Sequence, residues 1–315
     1  MQTRFVADAH CDFLAQTVWK HASLDRAVEG QHLSLERLEQ GGVKMQCFAI
    51  FPGGPDEVDP WTQACQQREA YERMLAEHPQ LVRGAAPLER LQPGQIAAVL
   101  TLEGASALGD SLDRLQTVAD WGVRILTLTW NHRNALACGV GEQQPPFGLT
   151  TLGVQALERM AQLGIVADVS HLHPDGFWQV MERAPGKVMA SHSNLKTLCG
   201  HRRNLTREQT QALIDRGGFI GINFCGNFLR DDGRATLEDV VRHILAFLEL
   251  GAGDILGLGT DFDGIDNPPV GLEHPGKLPD LFEALAKAGV DDAQLDKIAY
   301  GNLARILAEA EKERS

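Results

Sequence analysis

Six side chains that bind metal ions well follow short apolar runs in this sequence: His10, Asp12, Glu103, His171, His192 and Asp261. Imidazole nitrogens and carboxylate oxygens are ligands of zinc and similar divalent cations. The runs FVADAHCD, AAVLTLEG and IVADVSH are typical of strands buried on both faces of a parallel sheet. An ionised carboxylate there is too costly unless it is paired or bound to a cation. The pattern therefore predicts a metal centre with hydrolytic chemistry.

The spacing indicates how the ligands divide. His10 and Asp12 are two positions apart, which places both side chains on one face of a strand. His171 and His192 close neighbouring strands and could hold a second ion, and the two oxygens of Glu103 could bridge ions about 3.5 to 4 Å apart. Two zinc ions sharing a water would lower its pKa towards about 7, giving a hydroxide nucleophile. Asp261 could bind a metal weakly or accept a proton from that water.

Eight strand-like segments must position these side chains, and helix-like segments alternate with them. This alternation predicts a single (β/α)₈ TIM-barrel domain over residues 1–315, with the metal site at the C-terminal ends of the strands. Long loops after the fourth and seventh strands are expected to form the substrate rim. The predicted strands are Phe5–Ala9, Val43–Phe51, Ala97–Leu102, Arg124–Thr129, Ile165–Val169, Lys187–Ala190, Phe219–Asn223 and Ile255–Thr260.

Composition excludes several classes of function. The formal net charge of -13 and the absence of a basic cluster argue against nucleic acid or an anionic membrane as partner. No secretory signal or membrane span is visible, so a cytoplasmic location is expected. The six cysteines form no CxxC pair and are expected to be reduced, with Cys11 pointing into the barrel wall. Neither GxSxG nor a phosphate loop occurs.

Taken together, the motifs resemble the membrane (renal) dipeptidase family of binuclear zinc peptidases and its bacterial relatives. The resemblance runs from Ala7 to about Asn302 and rests on HCD, LEG, GVRILTLTWN, LGIVADVSH, SHSN, HRRN, GINF and GTDFDG in this order. It implies a (β/α)₈ barrel with two zinc ions, dipeptides as substrates and a homodimer. It also implies the ligands: His10 and Asp12 for one zinc, His171 and His192 for the other, and Glu103 for both.

The same resemblance implies roles near the substrate. Asp261 would be the acid/base group, and Arg203 would pair with the carboxylate of the dipeptide, which suits the planar fork of its guanidinium. Arg202 is expected to be a surface charge. The family histidine that follows LTLT is Trp130 here, and His132 is the candidate replacement. Two further positions are expected near the substrate: Phe228 in place of a family tyrosine, and Asn223 as an inward polar group.

Two other readings compete with a dipeptidase that cleaves L-Xaa-D/L-Yaa. An amidohydrolase-type barrel would cleave N-acyl amino acids or cyclic amides, but it usually opens with HxH and uses a carbamylated lysine. A non-catalytic barrel would bind metal or peptide without turnover. The HxD of the first strand, the absence of a lysine at a central strand end, and the presence of Glu103 and Asp261 favour the dipeptidase.

Overall fold

The computed structural model describes residues 4–54 and 57–314, so the predicted domain ends at residues 1 and 315 lie outside the described part. Within it, nine parallel strands form one sheet. They are β1 (Val6–Asp8), β2 (Val43–Ile50), β3 (Leu81–Arg83), β4 (Ile96–Glu103), β5 (Val123–Thr127), β6 (Val166–Asp168), β7 (Val188–Met189), β8 (Ile220–Ile222) and β9 (Leu256–Leu258).

Eight of these strands form a closed barrel. Their order is β7-β6-β5-β4-β2-β1-β9-β8, and a parallel bridge between Ala190 and Ile220 joins the two ends. The predicted (β/α)₈ barrel and its eight strands are therefore confirmed. The short strand β3, which pairs with the start of β4 outside the ring, was not predicted.

Helices follow the strands and cover the barrel. Their bounds are α1 (Phe13–Lys20), α2 (Leu35–Gln40), α3 (Pro60–Glu77), α4 (Asp113–Asp120), α5 (Thr151–Gln162), α6 (Pro174–Arg183), α7 (Arg207–Asp215), α8 (Gly226–Leu229), α9 (Leu237–Glu249), α10 (Leu278–Lys287), α11 (Asp292–Asp296) and α12 (Asn302–Lys312). In the described part of the chain, no helix is both long enough and apolar enough to span a membrane.

Strand alternation divides the apolar side chains into two clusters. On β2, Met45 and Cys47 belong to the inner cluster, which α12 closes with residues such as Leu303. Phe48 belongs to the outer cluster between strands and helices, and Cys11 lies there too, as strand alternation predicts. One end of the barrel is thus filled with apolar side chains, and the predicted metal ligands lie at the other end, where the strands end.

Candidate metal centre and active site

Glu103, the last residue of β4, lies between the histidines at the C-terminal end of the barrel. Its Oε1 is 3.1 Å from Nε2 of His171 and 3.4 Å from Nε2 of His192. Its Oε2 is 3.6 Å from Nε2 of His10. All four side chains are buried. One oxygen of the Glu103 carboxylate therefore faces His171 and His192, and the other faces His10.

Two more carboxylates complete the His10 side of the cluster. Nε2 of His10 lies 3.5 Å from Oδ2 of Asp12 and 3.8 Å from Oδ1 of Asp261. Among the described residues, Nε2 of His10 and Oδ1 of Asp12 are buried without a hydrogen-bond partner. Buried polar atoms are almost always paired, so orphans within such a cluster mark a place for a cation.

A chain of hydrogen bonds fixes the ring of His192. Ser191 Oγ donates to Oδ2 of Asp168 at 2.5 Å. The same oxygen lies 2.7 Å from Nδ1 of His192 and must therefore accept the Nδ1 proton. This arrangement leaves a lone pair on Nε2, the nitrogen that faces Glu103.

Asn131 does the same for His171. Its Oδ1 lies 3.0 Å from Nδ1 of His171, which leaves Nε2 of that ring as an acceptor too. The Nε2 atoms of His171 and His192 are 3.0 Å apart. Two lone pairs facing each other beside a carboxylate oxygen repel, and a divalent cation between them relieves that repulsion. The donor set therefore fits a metal ion on this side as well.

The charges of the cluster indicate the same need. Burial lowers the pKa of His10, but the negative charges of Glu103 and Asp12 outweigh it and hold the pKa well above the ordinary value. Burial raises the pKa of Asp261 to about 8. Burial lowers the pKa of His171 to about 4. Three buried carboxyl groups, those of Asp12, Glu103 and Asp261, thus surround the only one of these imidazoles whose pKa is raised.

The backbone is held in an uncommon conformation at two of these positions. His171 has φ 63° and Asp261 has φ 64°, and both values lie in the left-handed region that residues other than glycine seldom adopt. Such strain persists where the surroundings impose it, often at functional sites. Gly264 shows how tight the surroundings are: a Cβ there would lie 2.6 Å from Oδ1 of Asp261 and closer still to Oδ2 of Asp12.

A cavity of about 510 Å³ opens above the cluster. Its wall includes Arg203, whose Nη2 donates to the carbonyl of His192 at 3.1 Å and whose guanidinium lies 5.5 Å from the centre of the Phe228 ring. Phe228 lines the cavity too, and exposed Arg202 lies at its rim. A buried arginine with an unpartnered Nε beside an open cavity suits an anionic ligand group.

The structure places two predicted substrate contacts elsewhere. The side chain of His132 is 76% exposed, and its Nδ1 lies 3.5 Å from Oε1 of Glu142. Among the described residues, His132 is not one of those that line the cavity. Asn223 is fully buried behind the cluster and does not line the cavity either. Its Nδ2 donates to Oδ2 of Asp261 at 2.8 Å. The neighbour of His132, Asn131, reaches the cluster instead. Asn223 contacts Asp261 rather than the open cavity.

Sequence reasoning also missed two acidic residues beneath the ligands. Asp8 ends β1 and accepts hydrogen bonds from the backbone nitrogen and hydroxyl of Thr260, which tie β1 to β9. Asp168 ends β6 and accepts from Ser191 after β7 and from Thr127 of β5. Both belong to a repeated Val-Ala-Asp that comes shortly before a ligand histidine, and this repeat was the available signal.

Comparison with known proteins identifies the family. The model of the membrane dipeptidase family, peptidase family M19, matches residues 1–315. The chain belongs to this family. It is 34% identical over 269 residues to an uncharacterized protein from the pqqA 5′ region of Klebsiella pneumoniae, covering 81% of this chain and 97% of that one. It is 30% identical over 291 residues to an uncharacterized dipeptidase of Schizosaccharomyces pombe, covering 86% of this chain and 71% of that one.

Solved structures agree. A metallopeptidase from Rhodobacter sphaeroides, liganded with a phosphinate mimic of the dipeptide L-Ala-D-Ala, superposes with a TM-score of 0.89 at 26% identity, covering 98% of this chain and all of that one. A second structure, an M19 dipeptidase, has a TM-score of 0.89 at 28% identity over 98% of this chain and 99% of that one. Family membership makes this protein a metal-dependent hydrolase, a metallopeptidase of the dipeptidase class.

Proposed function

We propose that this protein is a dipeptidase that works with two zinc ions. His10 and Asp12 would hold one ion, His171 and His192 the other, and Glu103 both. The observation that carries the proposal is the division of the Glu103 carboxylate, with Oε2 3.6 Å from His10 and Oε1 3.1 Å from His171. When bound, two zinc ions would lower the pKa of a water that they share and polarise the scissile carbonyl.

The protein's own groups then bind the substrate and move protons. Arg203 would pair with the terminal carboxylate of the dipeptide, because its buried guanidinium carries an unpartnered Nε beside the cavity. Asp261 would accept a proton from the attacking water and pass it to the departing amine. The hydrogen bond from Asn223 to Oδ2 keeps the other oxygen of Asp261 turned towards His10, where that proton would move.

Small peptides of the form L-Xaa-D/L-Yaa are the proposed substrates. A fixed arginine at a set distance from the metal cluster admits one residue after the scissile bond and no more. The Rhodobacter sphaeroides relative was solved with a mimic of L-Ala-D-Ala, which supports a D-residue in the second position.

The first test is release of amino acids by protein stripped of metal and then reloaded with zinc. L-Ala-L-Ala, L-Ala-D-Ala and N-acetyl-L-alanine serve as substrates, and zinc content is measured alongside. We expect two zinc ions per chain, hydrolysis of the dipeptides only with metal, and little action on the acyl compound. Metal-dependent hydrolysis of N-acetyl-L-alanine alone would replace this proposal by an amidohydrolase activity.

The remaining features of the proposal lie outside the metal site. We propose that residues 1–315 act as one domain in the cytoplasm and assemble as a homodimer. The cytoplasmic location and the dimer stay predictions, which cell fractionation and light scattering can check.

A further inference from the structure

Three aromatic rings form a wall on one side of the cavity, here called the aromatic wall: Trp19, Phe51 and Trp130. The ring centres of Trp19 and Phe51 are 6.0 Å apart, and those of Phe51 and Trp130 are 5.3 Å apart. Both pairs meet edge to face, a favourable arrangement for aromatic groups. The mechanism proposed above uses none of these rings.

The wall adjoins the metal cluster and remains accessible. The Trp130 ring centre lies 6.1 Å from that of His171, yet Trp130 is 39% exposed. A tryptophan that only filled the core would be covered, and exposed aromatic surface grouped in a cavity is typical of a ligand contact. The wall is therefore placed to touch a substrate whose scissile bond lies at the cluster.

Barrel topology sets the wall opposite the arginine. In the ring order β7-β6-β5-β4-β2-β1-β9-β8, β2 lies four strands from β7, halfway around the barrel. Phe51 follows β2, and Arg203 lies in the segment after β7. Trp130 follows β5 and Trp19 lies on α1 after β1, on either side of Phe51. A dipeptide held by its carboxylate at Arg203 thus extends its N-terminal residue across the metal cluster towards the wall.

We infer that the aromatic wall selects dipeptides with a large apolar N-terminal side chain, aromatic ones above all. This inference rests on the proposed function, since it takes the carboxylate to be held by Arg203. Each ring offers a flat apolar surface, and an aromatic substrate side chain can pack on it edge to face or offset. Glycine in the same position would leave that surface in contact with water.

The test compares kcat/KM of the zinc-loaded protein for Gly-L-Ala, L-Leu-L-Ala and L-Phe-L-Ala. We expect L-Phe-L-Ala to exceed Gly-L-Ala by about tenfold or more, a ratio of the size that apolar pockets achieve. The reversed pair, L-Ala-L-Phe against L-Ala-Gly, should differ less because the second residue lies on the Arg203 side. Equal values for all three N-terminal residues would overturn the inference and leave the dipeptidase proposal intact.

The variant Trp130→Ala locates the preference. We expect it to reduce the L-Phe-L-Ala to Gly-L-Ala ratio by about fivefold or more, a loss within the range that apolar contacts contribute. Trp178→Ala, which removes an exposed tryptophan from α6, is the matched control and should keep the wild-type ratio. An unchanged ratio in Trp130→Ala would overturn the inference. Failure of the wild-type protein to cleave any dipeptide with zinc bound would overturn the proposed function itself.

Discussion

Asp261 combines three features at the scale of a single residue. Its backbone is left-handed, its Oδ2 accepts from Asn223, and its Oδ1 faces His10. Aspartate and asparagine tolerate the left-handed region better than most residues, so the two are interchangeable for the backbone at this position. The charge and proton affinity of Asp261 can therefore be tested apart from the fold.

Asp261→Asn should keep most of the bound metal but lose turnover. The amide cannot accept the proton of the attacking water, and general acid–base groups contribute about 10² to 10⁴ in rate. The measurement is kcat together with metal content per chain. Asp266→Asn, the same change at the cavity rim, is the control and should cost far less. Near wild-type kcat in Asp261→Asn would remove this carboxylate from the mechanism.

Arg203 is the other residue whose role can be isolated by the choice of substrate. Arg203→Ala should lower kcat/KM for a dipeptide by about 10² or more, because the proposed charge-assisted pair with the substrate carboxylate would be lost. A C-terminally amidated dipeptide lacks the carboxylate and should lose much less. Arg202→Ala, the adjacent exposed arginine, is the matched control. Equal losses on both substrates would show that Arg203 does not contact the carboxylate.

At the scale of the elements, the apolar runs predicted the barrel strands because buried parallel strands must be apolar on both faces. They could not reveal β3, since Leu81–Arg83 is buried only at Leu81, ends in an exposed arginine and pairs with the start of β4 outside the ring. Ligand types identified the cluster around Glu103. The contact of Asn131 with His171 depends on how one loop folds back, and the prediction favoured His132 because it lies close to the position of the family histidine.

The hydrogen bonds that join His192, Ser191, Asp168 and Thr127, here called the hydroxyl relay, connect the ends of β7, β6 and β5, and their loss should weaken metal binding. Ser191→Ala removes the acceptor for Nδ1 of His192 and one donor to Asp168. Loss of a partner that orients a metal ligand typically lowers metal affinity about 10- to 100-fold. Zinc affinity measured by chelator competition checks this. Ser170→Ala, whose hydroxyl accepts from the His192 backbone instead, is the control and should show a smaller loss. Equal affinities in Ser191→Ala and wild type would contradict the relay.

Helix α9 carries a buried histidine that ties the segment after β7 and the end of α8 to this helix. Nδ1 of His243 accepts from the backbone nitrogen of Leu195 at 3.2 Å, and its Nε2 lies 3.1 Å from the carbonyl oxygen of Leu229. An acceptor on one side and a donor on the other require the neutral ring. Burial accordingly lowers the pKa of His243 to about 4.

The free energy of unfolding should therefore decrease as the pH is lowered from about 6.5 to about 4. In this window the unfolded chain binds a proton at His243 and the folded chain does not, so acid favours unfolding, by roughly 3 kcal/mol at most. His243→Gln should flatten this part of the profile, although it also costs stability at every pH. Denaturant unfolding across the window is the measurement, and His132→Gln, an exposed histidine, is the control. Parallel profiles for His243→Gln and wild type would contradict the assignment.

At the scale of the whole molecule, the metal cluster is where distant parts of the chain meet. Its six groups come from the ends of β1, β4, β6, β7 and β9, between residues 10 and 261. The inner apolar cluster holds the opposite end of the same strands together. The barrel is thus closed at one end by hydrophobic packing and at the other by a cluster that includes three buried carboxyl groups, whose mutual repulsion a cation would relieve.

Removing the metal should consequently destabilise the entire barrel. An ion that binds only the folded chain adds about 2.7 kcal/mol when its free concentration is 100 times Kd, and without it Asp12, Glu103 and Asp261 remain buried together. We expect chelation to lower Tm by several degrees and zinc to restore it, as followed by circular dichroism. His192→Ala, which removes a proposed ligand, should show a smaller shift on chelation. If chelation releases the metal from the wild-type protein and leaves Tm unchanged, the strand ends are held together by the packing around them, and the cluster serves catalysis without stabilising the fold.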